Sequence, residues 1–317
     1  MDKGSLSSSP MVSVIVPNYN YARYMDERMQ SILNQTYQNF EIIILDDCST
    51  DNSKEVIENY RYNEHVTNIV YNTKNSGGVF KQWQKGFSLA NGELIWIAEA
   101  DDKCKPTQLE KLVNEFEKDH DLALAFVRTV SFNDQDGSQS FLMGEIKKSG
   151  TRHYNGIEFI KKFMQHSSYV TNASSTLFKK RVLAQISNEY TSFKASGDRL
   201  FWIEVSQCGN VAIVDEALNY CRRHGNNVTE TAHSMKEGLV VTERKKIQDY
   251  LRSHHFISKW NYNKIASEII YFDILNNSHL DVEVKENLLK TWNYNAFKKF
   301  LIWLLKIRMK FNNPNCQ

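Results

Sequence analysis

Three carboxylates, Glu99, Asp101 and Asp102, follow directly on an apolar run, Leu94-Ile95-Trp96-Ile97. Two unit charges 4 Å apart repel by about 4 kcal/mol at an effective dielectric near 20, so acids grouped at a strand end call for a positive partner. A second acidic pair, Asp46-Asp47, closes the apolar run at 40–45 and leads into Cys48-Ser49-Thr50-Asp51. Each cluster alone also reads as ordinary: a turn with a helix cap for the one, a solvated acidic loop for the other. Facing one edge together, they are better explained by a shared ligand. A hard divalent cation, Mg2+ or Mn2+, suits such a site, because it takes oxygen ligands and keeps substrate phosphates in its shell. No Cys/His pair nearby offers zinc. The missing charge is therefore expected to be a metal ion carrying a nucleotide diphosphate.

The elements that must position these acids alternate in period. Segments 12–17, 40–45, 68–72 and 94–98 are apolar runs of strand length; 24–35, 52–60 and 80–90 have helical spacing, with Asp51 as a suitable cap for the middle one. Strands apolar throughout and separated by helices predict an α/β fold, a doubly wound, mostly parallel sheet with helices on both faces. In such sheets the ligand lies beyond the carboxyl ends of the strands. Those ends read Pro17-Asn18-Tyr19-Asn20, Asp46-Asp47, Asn75-Ser76-Gly77-Gly78 and Glu99-Ala100-Asp101-Asp102. Further on, Pro106 opens a helix, 122–128 is a strand, and 131–155 reads as a loop or hairpin excursion. Beyond about 235 the pattern is helical. The expected division is a disordered arm at 1–10, one α/β domain at 11–230 and a helical C-terminal extension at 231–317.

A chain of 317 residues, 41% hydrophobic and 24% charged, has the composition of a globular protein, and its net charge of +2 gives no general pull toward nucleic acid. Its five cysteines are scattered and never form CxxC, which predicts a reducing compartment. The polar start, MDKGSLSSSP, has no apolar leader core, so a cytoplasmic location is expected.

VSVIVPNYN, SILNQTY, FEIIILDDCSTDNS, NSGG, ANGELIWIAEADD and SGDRLFW occur in an order that resembles family 2 glycosyltransferases of the GT-A fold, of the bacterial polysaccharide-synthesis type. The likeness covers about 11–225. It implies transfer of a sugar from a nucleotide-diphosphate donor, by default a UDP-sugar, to an acceptor hydroxyl of a glycan or a lipid-linked glycan. The reaction would be metal-dependent and would invert the anomeric centre, as expected of a hexosyltransferase. By resemblance, Pro17, Tyr19 and Asp47, with Asp46 beside them, hold the nucleobase. Asp101 meets the ribose and metal region, Asp102 ligates Mn2+ or Mg2+ directly, Asp198 is the catalytic base, His224 is a further metal ligand and Arg223 lies near the diphosphate. Two departures stand out: Glu99 replaces the first acid of the metal motif, and Gly197 replaces the acid that normally precedes the base. Those departures keep a second reading open, a non-catalytic sugar-nucleotide-binding or scaffold protein on the same fold. Ala173-Ser174-Ser175 stands roughly where some relatives carry a glycine-rich loop.

The segment 296–311, AFKKFLIWLLKIRMKF, is basic and acid-free. At 100° per residue Phe297, Phe300, Leu301, Leu304, Ile307 and Phe311 share one face, and Lys299, Lys306 and Lys310 the other. Such a helix suits either packing on the rest of the chain or peripheral contact with the inner face of the cytoplasmic membrane.

Overall fold

The computed structural model describes residues 9–134, 139–143, 150–224 and 237–312. The chain divides into two units: Met1–Met164 with Ser168–His224, and Gln165–Ser167 with Gly225–Gln317. The expected arm at 1–10 lies largely outside the described residues, and so does the expected boundary at 230.

The first unit is built on a sheet that contains ten strands among the described residues, ordered β3-β2-β1-β4-β9-β6-β10-β5, with β7 on β6 and β8 on β10. The strands are β1 (Val12–Asn18), β2 (Phe40–Asp46), β3 (Val66–Tyr71), β4 (Leu94–Ile97), β5 (Lys103–Cys104), β6 (Leu122–Asn133), β7 (Gln139–Met143), β8 (Thr151–Tyr154), β9 (Thr176–Lys179) and β10 (Asn210–Arg223). Pairing is parallel through β3-β2-β1-β4, the half that the apolar runs predict. β9 then enters antiparallel between β4 and β6, while β6 and β10 run parallel, so the second half is mixed.

β1 and β2 are buried along their whole length because helices cover both faces. On one face Val14, Val16, Ile42, Ile44 and Trp96 pack with Met25, Met29 and Ile32 of α1 (Ala22–Leu33) and with Leu112 and Phe116 of α4 (Gln108–Lys118). On the other lies an aromatic cluster. Phe87 of α3 (Val79–Leu89) stacks on Phe201 of α6 (Gly197–Gln207), their ring centroids 5.6 Å apart, and Phe178 of β9 meets Phe201 edge-on at 5.4 Å. The short helix α2 (Ser53–Glu58) follows Asp51, whose Oδ1 accepts from Ser53 N while Oδ2 accepts from Ala22 N. One carboxylate thus serves the starts of two helices.

Two strands exceed their sequence signal. The run at 122–128 continues to Asn133, and β10 reaches Arg223, because Arg222 pairs with Phe132 and Arg223 with Asn133. Neither tail is apolar; each is extended because the other lies alongside. The excursion at 131–155 contains β7 and β8, which pair antiparallel on β6 and β10.

The second unit is helical: Leu239–Ser253, Lys259–Ile269 running on into a π-helical turn at Ile270–Leu275, Val282–Thr291 and Ala296–Asn312. Its core gathers Val241, Ile265, Ile269, Ile274, Leu288, Trp292 and Ile302. In the last helix Leu301 and Ile302 are buried, whereas Phe297, Phe300, Trp303 and Leu304 are 40–55% exposed. The buried line is therefore not the stripe computed from sequence: Ile302 turns in and most of the aromatic face turns out. Among the described residues no helix is long and apolar enough to cross a membrane.

Candidate active site

The acidic turn hangs between β4 and β5. Ala98 N donates to Ile15 O, continuing the β4 ladder, and Asp102 N donates back to Glu99 O, which closes the turn. Ala98 and Ala100 point into the core, so the acids between and beyond them line the sheet edge. Each acid has a different environment. The Trp83 Nε1 donates to Glu99 at 2.9 Å. Asp102 is 2% exposed, and its Oδ2 accepts from Asn172 Nδ2 (2.8 Å) and Ser174 Oγ (2.7 Å) while Oδ1 accepts from Arg222 N (3.2 Å). Asp101 is the more open, its side chain 17% exposed, and its Oδ2 lies 2.9 Å from His224 Nε2. The imidazole of His224 is stacked on Tyr24 at 5.6 Å and met edge-on by Tyr21 at 5.3 Å.

Burial and carboxylate repulsion oppose the ionisation of Glu99 and Asp102. Burial, reinforced by the Asp101 carboxylate, pushes Glu99 up to about 8, and the same causes in the same order push Asp102 up to about 6. The Tyr21 hydroxyl is also raised, first by burial and then by Asp101, Glu99 and Asp102.

Arg222, and not Arg223, is the arginine at the turn. Its Nε donates to Asp101 O at 2.9 Å, its Nη1 to Asp134 at 2.8 Å, and its Nη2 pairs with Glu27. Successive strand residues face opposite ways. Arg223 accordingly reaches Ser131 Oγ at 3.1 Å, its guanidinium 5.8 Å from the Phe141 ring centroid.

At the neighbouring strand ends, Asn18 Nδ2 donates to Asp46 Oδ1 at 2.7 Å, and Ser49 donates to the same carboxylate through N and Oγ. Asp47 is 4% exposed and accepts from Asn72 Nδ2, Ser76 N, Ser76 Oγ and Gln82 Nε2, all within 2.9 Å. Pro17 is buried in β1 opposite Leu45, and Tyr19 is 45% exposed. Asn20 and Cys48 both adopt left-handed backbone, with φ of 59° and 63°, where the two strand ends turn against each other.

Asp198 sits in the first turn of α6, partly exposed. One helical turn later Trp202 lies 6.1 Å from Trp83, the ring that holds Glu99. Gly197 has a steric reason: a Cβ there would stand 2.6 Å from Tyr190 O and 2.7 Å from the Phe80 ring. No acid fits at 197.

The family resemblance names both Asp101 and His224, and the structure brings these two side chains together. The sequence does not anticipate Trp83, Asn172 or Arg222, whose types carry no signal away from the fold. Ser174, within the Ala-Ser-Ser segment, turns out to bridge Glu99 N and Asp102.

Among the described residues no group of three or more His, Cys, Asp or Glu side chains is arranged around one ion position. The donor set nonetheless suits a hard cation. Asp101 and His224 offer an oxygen and a nitrogen at one point, beside two further carboxyls, and such an ion needs few protein ligands when phosphates supply the rest.

Solved structures of similar architecture include Staphylococcus aureus TarS 1–349 in complex with UDP (TM-score 0.61, 20% identity, 89% of this chain and 80% of that one). A second is the mannosyltransferase PcManGT from Pyrobaculum calidifontis in complex with GDP-Man and Mn2+ (TM-score 0.53, 13% identity, 97% and 82%). At these identities the likeness speaks for the fold, which is GT-A. The sequence goes further: residues 13–186 match the family model described as glycosyl transferase family 2. An uncharacterized glycosyltransferase of Haemophilus influenzae is 30% identical over 250 residues, 78% of this chain and 76% of its own. Glycosyltransferase GlyG of Streptococcus pneumoniae is 30% identical over 259 residues, 76% and 81%. The chain belongs to glycosyltransferase family 2.

Proposed function

We propose that the protein transfers a hexose from a nucleotide-diphosphate donor to a hydroxyl of a surface glycan or lipid-linked glycan, with inversion at the anomeric carbon. The observation that carries this reading is the acidic turn with Asp101 and His224 converging beside the polar ends of β1 and β2. A Mn2+ or Mg2+ ion bound there would supply charge neutralisation for a departing diphosphate. Asp101 and His224 would hold it. Asp102, nearly sealed by three hydrogen bonds, is better suited to fixing the turn than to offering a free ligand, although its Oδ1 retains acceptor capacity.

The protein's own residues account for the remaining requirements. Asp47, clamped by its four donors, and Tyr19, exposed at the mouth, would form the base pocket, with Pro17 and Asp46 as its walls. A UDP-sugar is the donor expected by default, and the TarS complexes with UDP and UDP-GlcNAc support that choice. Asp198 would take the proton from the acceptor hydroxyl as its oxygen attacks the anomeric carbon and the bond to the diphosphate breaks. Arg223 would reach the diphosphate only by leaving Ser131; Arg222 stands closer to the turn. Relatives described as acting in teichuronic acid and minor teichoic acid biosynthesis support a polysaccharide acceptor. The exposed aromatic face of the last helix, beside Lys299 and Lys306, supports peripheral contact with an anionic membrane.

Donor hydrolysis with Mn2+ and no acceptor, followed over a panel of nucleotide sugars, tests the reading. Release of nucleoside diphosphate from one donor is expected. Binding of a donor without turnover of any would favour the scaffold reading that Glu99 and Gly197 keep open.

A further inference from the structure

Arg28 is fully buried on the inner face of α1, and among the described residues no carboxylate oxygen lies within 4 Å of it. Its Nη1 donates to Cys104 Sγ at 3.8 Å and its guanidinium is 5.1 Å from the Trp96 ring centroid. Among the described residues, Nε and Nη2 have no hydrogen-bond partner. Two of its neighbours at helical spacing on α1, Met25 and Ile32, are apolar and buried. An ionised group held in a core with so few partners is costly, and an arginine cannot escape the cost by giving up its proton.

Its position explains why it is kept. Trp96 stands three residues before Glu99, and Cys104 two residues after Asp102. The guanidinium is therefore wedged between the strand that enters the acidic turn and the strand that leaves it. Above it are carboxylates with the opposite problem, too much negative charge and too little water. We propose that Arg28 is the fixed counter-charge of the acidic turn, a positioning residue that lets Glu99, Asp101 and Asp102 share one strand end before any ligand arrives. Its attraction works through space across the base of the turn, without a salt bridge. Glu27, the next residue back, grips the same turn from outside through Lys103 and Arg222, so α1 braces it on two sides. Any benefit of Arg28 to catalysis rests on the proposed donor site; the charge pairing does not.

Thermal unfolding at mildly alkaline pH, without added metal, tests the pairing in two backgrounds. In the wild-type background Arg28→Met, which keeps length and removes charge, is expected to lower Tm by about 4 °C or more, and Arg28→Lys to recover at least half of that loss. In a Glu99→Gln/Asp102→Asn background the same Arg28→Met is expected to leave Tm unchanged or raise it, because only the cost of burying the charge remains. An equal fall in both backgrounds, or a lysine no better than methionine, makes Arg28 a packing residue and overturns the proposal. Should Arg28→Met fail to fold alone, folding restored in the neutralised background supports the pairing, and failure there refutes it. None of these readings involves sugar transfer, so the pairing and the donor site can fail separately.

Discussion

The carboxylate of Asp101 and the imidazole of His224 meet at 2.9 Å across 123 residues of sequence. The turn after β4 supplies one and the end of β10 the other. They come together because β10 runs on beyond its apolar stretch, and because Arg222, two residues before His224, donates its backbone N–H to Asp102 and its Nε to Asp101 O. Tyr21 and Tyr24 fix the ring from α1 and its approach. An oxygen and a nitrogen from distant parts of the sequence are thus held side by side at the sheet edge.

The first prediction concerns pH. Glu99 and Asp102 have folded values of about 8 and about 6 against unfolded values of 4.5 and 3.8. Between each pair the folded chain holds more protons than the unfolded one, so stability falls as pH rises. The cost is absent below the unfolded values and complete above the folded ones. Metal-free Tm is expected to decline from these groups through the neutral range, and Glu99→Gln to remove the upper part of the decline. Subtracting the wild-type curve from the variant curve isolates that group. A difference that does not grow between mildly acidic and alkaline pH counts against the assigned shift.

A second prediction concerns the base. Asp198→Asn is expected to lower kcat by about 10²–10⁴-fold with little change in donor affinity, the usual worth of a positioned proton acceptor. Steady-state kinetics beside donor titration separates the two quantities. Near-normal turnover would leave Asp198 as a residue of the α6 N-terminus only.

The third concerns the last helix. Replacing Phe300, Trp303 and Leu304 together by serine removes exposed apolar surface and leaves the buried Leu301 and Ile302 in place. Sedimentation with anionic liposomes is expected to fall at least about tenfold while Tm stays within about 2 °C of the wild type. Unchanged sedimentation assigns the face another role.

The parallel half of the sheet was legible because its strands are apolar on both faces, and the acids were legible because carboxylates at strand ends are unusual. What sequence could not reach were relations set by pairing and alternation. Arg222 and Arg223 are indistinguishable as letters, yet strand alternation sends one to Asp101 and the other to Ser131. Asp102 looks like an open ligand in sequence and is sealed by Asn172 and Ser174, which lie some seventy residues on. The helix at 296–312 is amphipathic by period, but its buried line passes through Ile302 because the second unit's core, not the mean hydrophobic direction, decides which side turns in.

The central claim, that the acidic turn binds a cation together with a nucleoside diphosphate, is tested most directly by calorimetric titration of UDP with and without Mn2+. The wild type is expected to bind UDP at least about tenfold more tightly with the metal, roughly 1.4 kcal/mol, and Asp101→Ala and His224→Ala to lose most of that gain. Equal UDP affinity with and without Mn2+ in the wild type, or a metal gain untouched in Asp101→Ala, would contradict it.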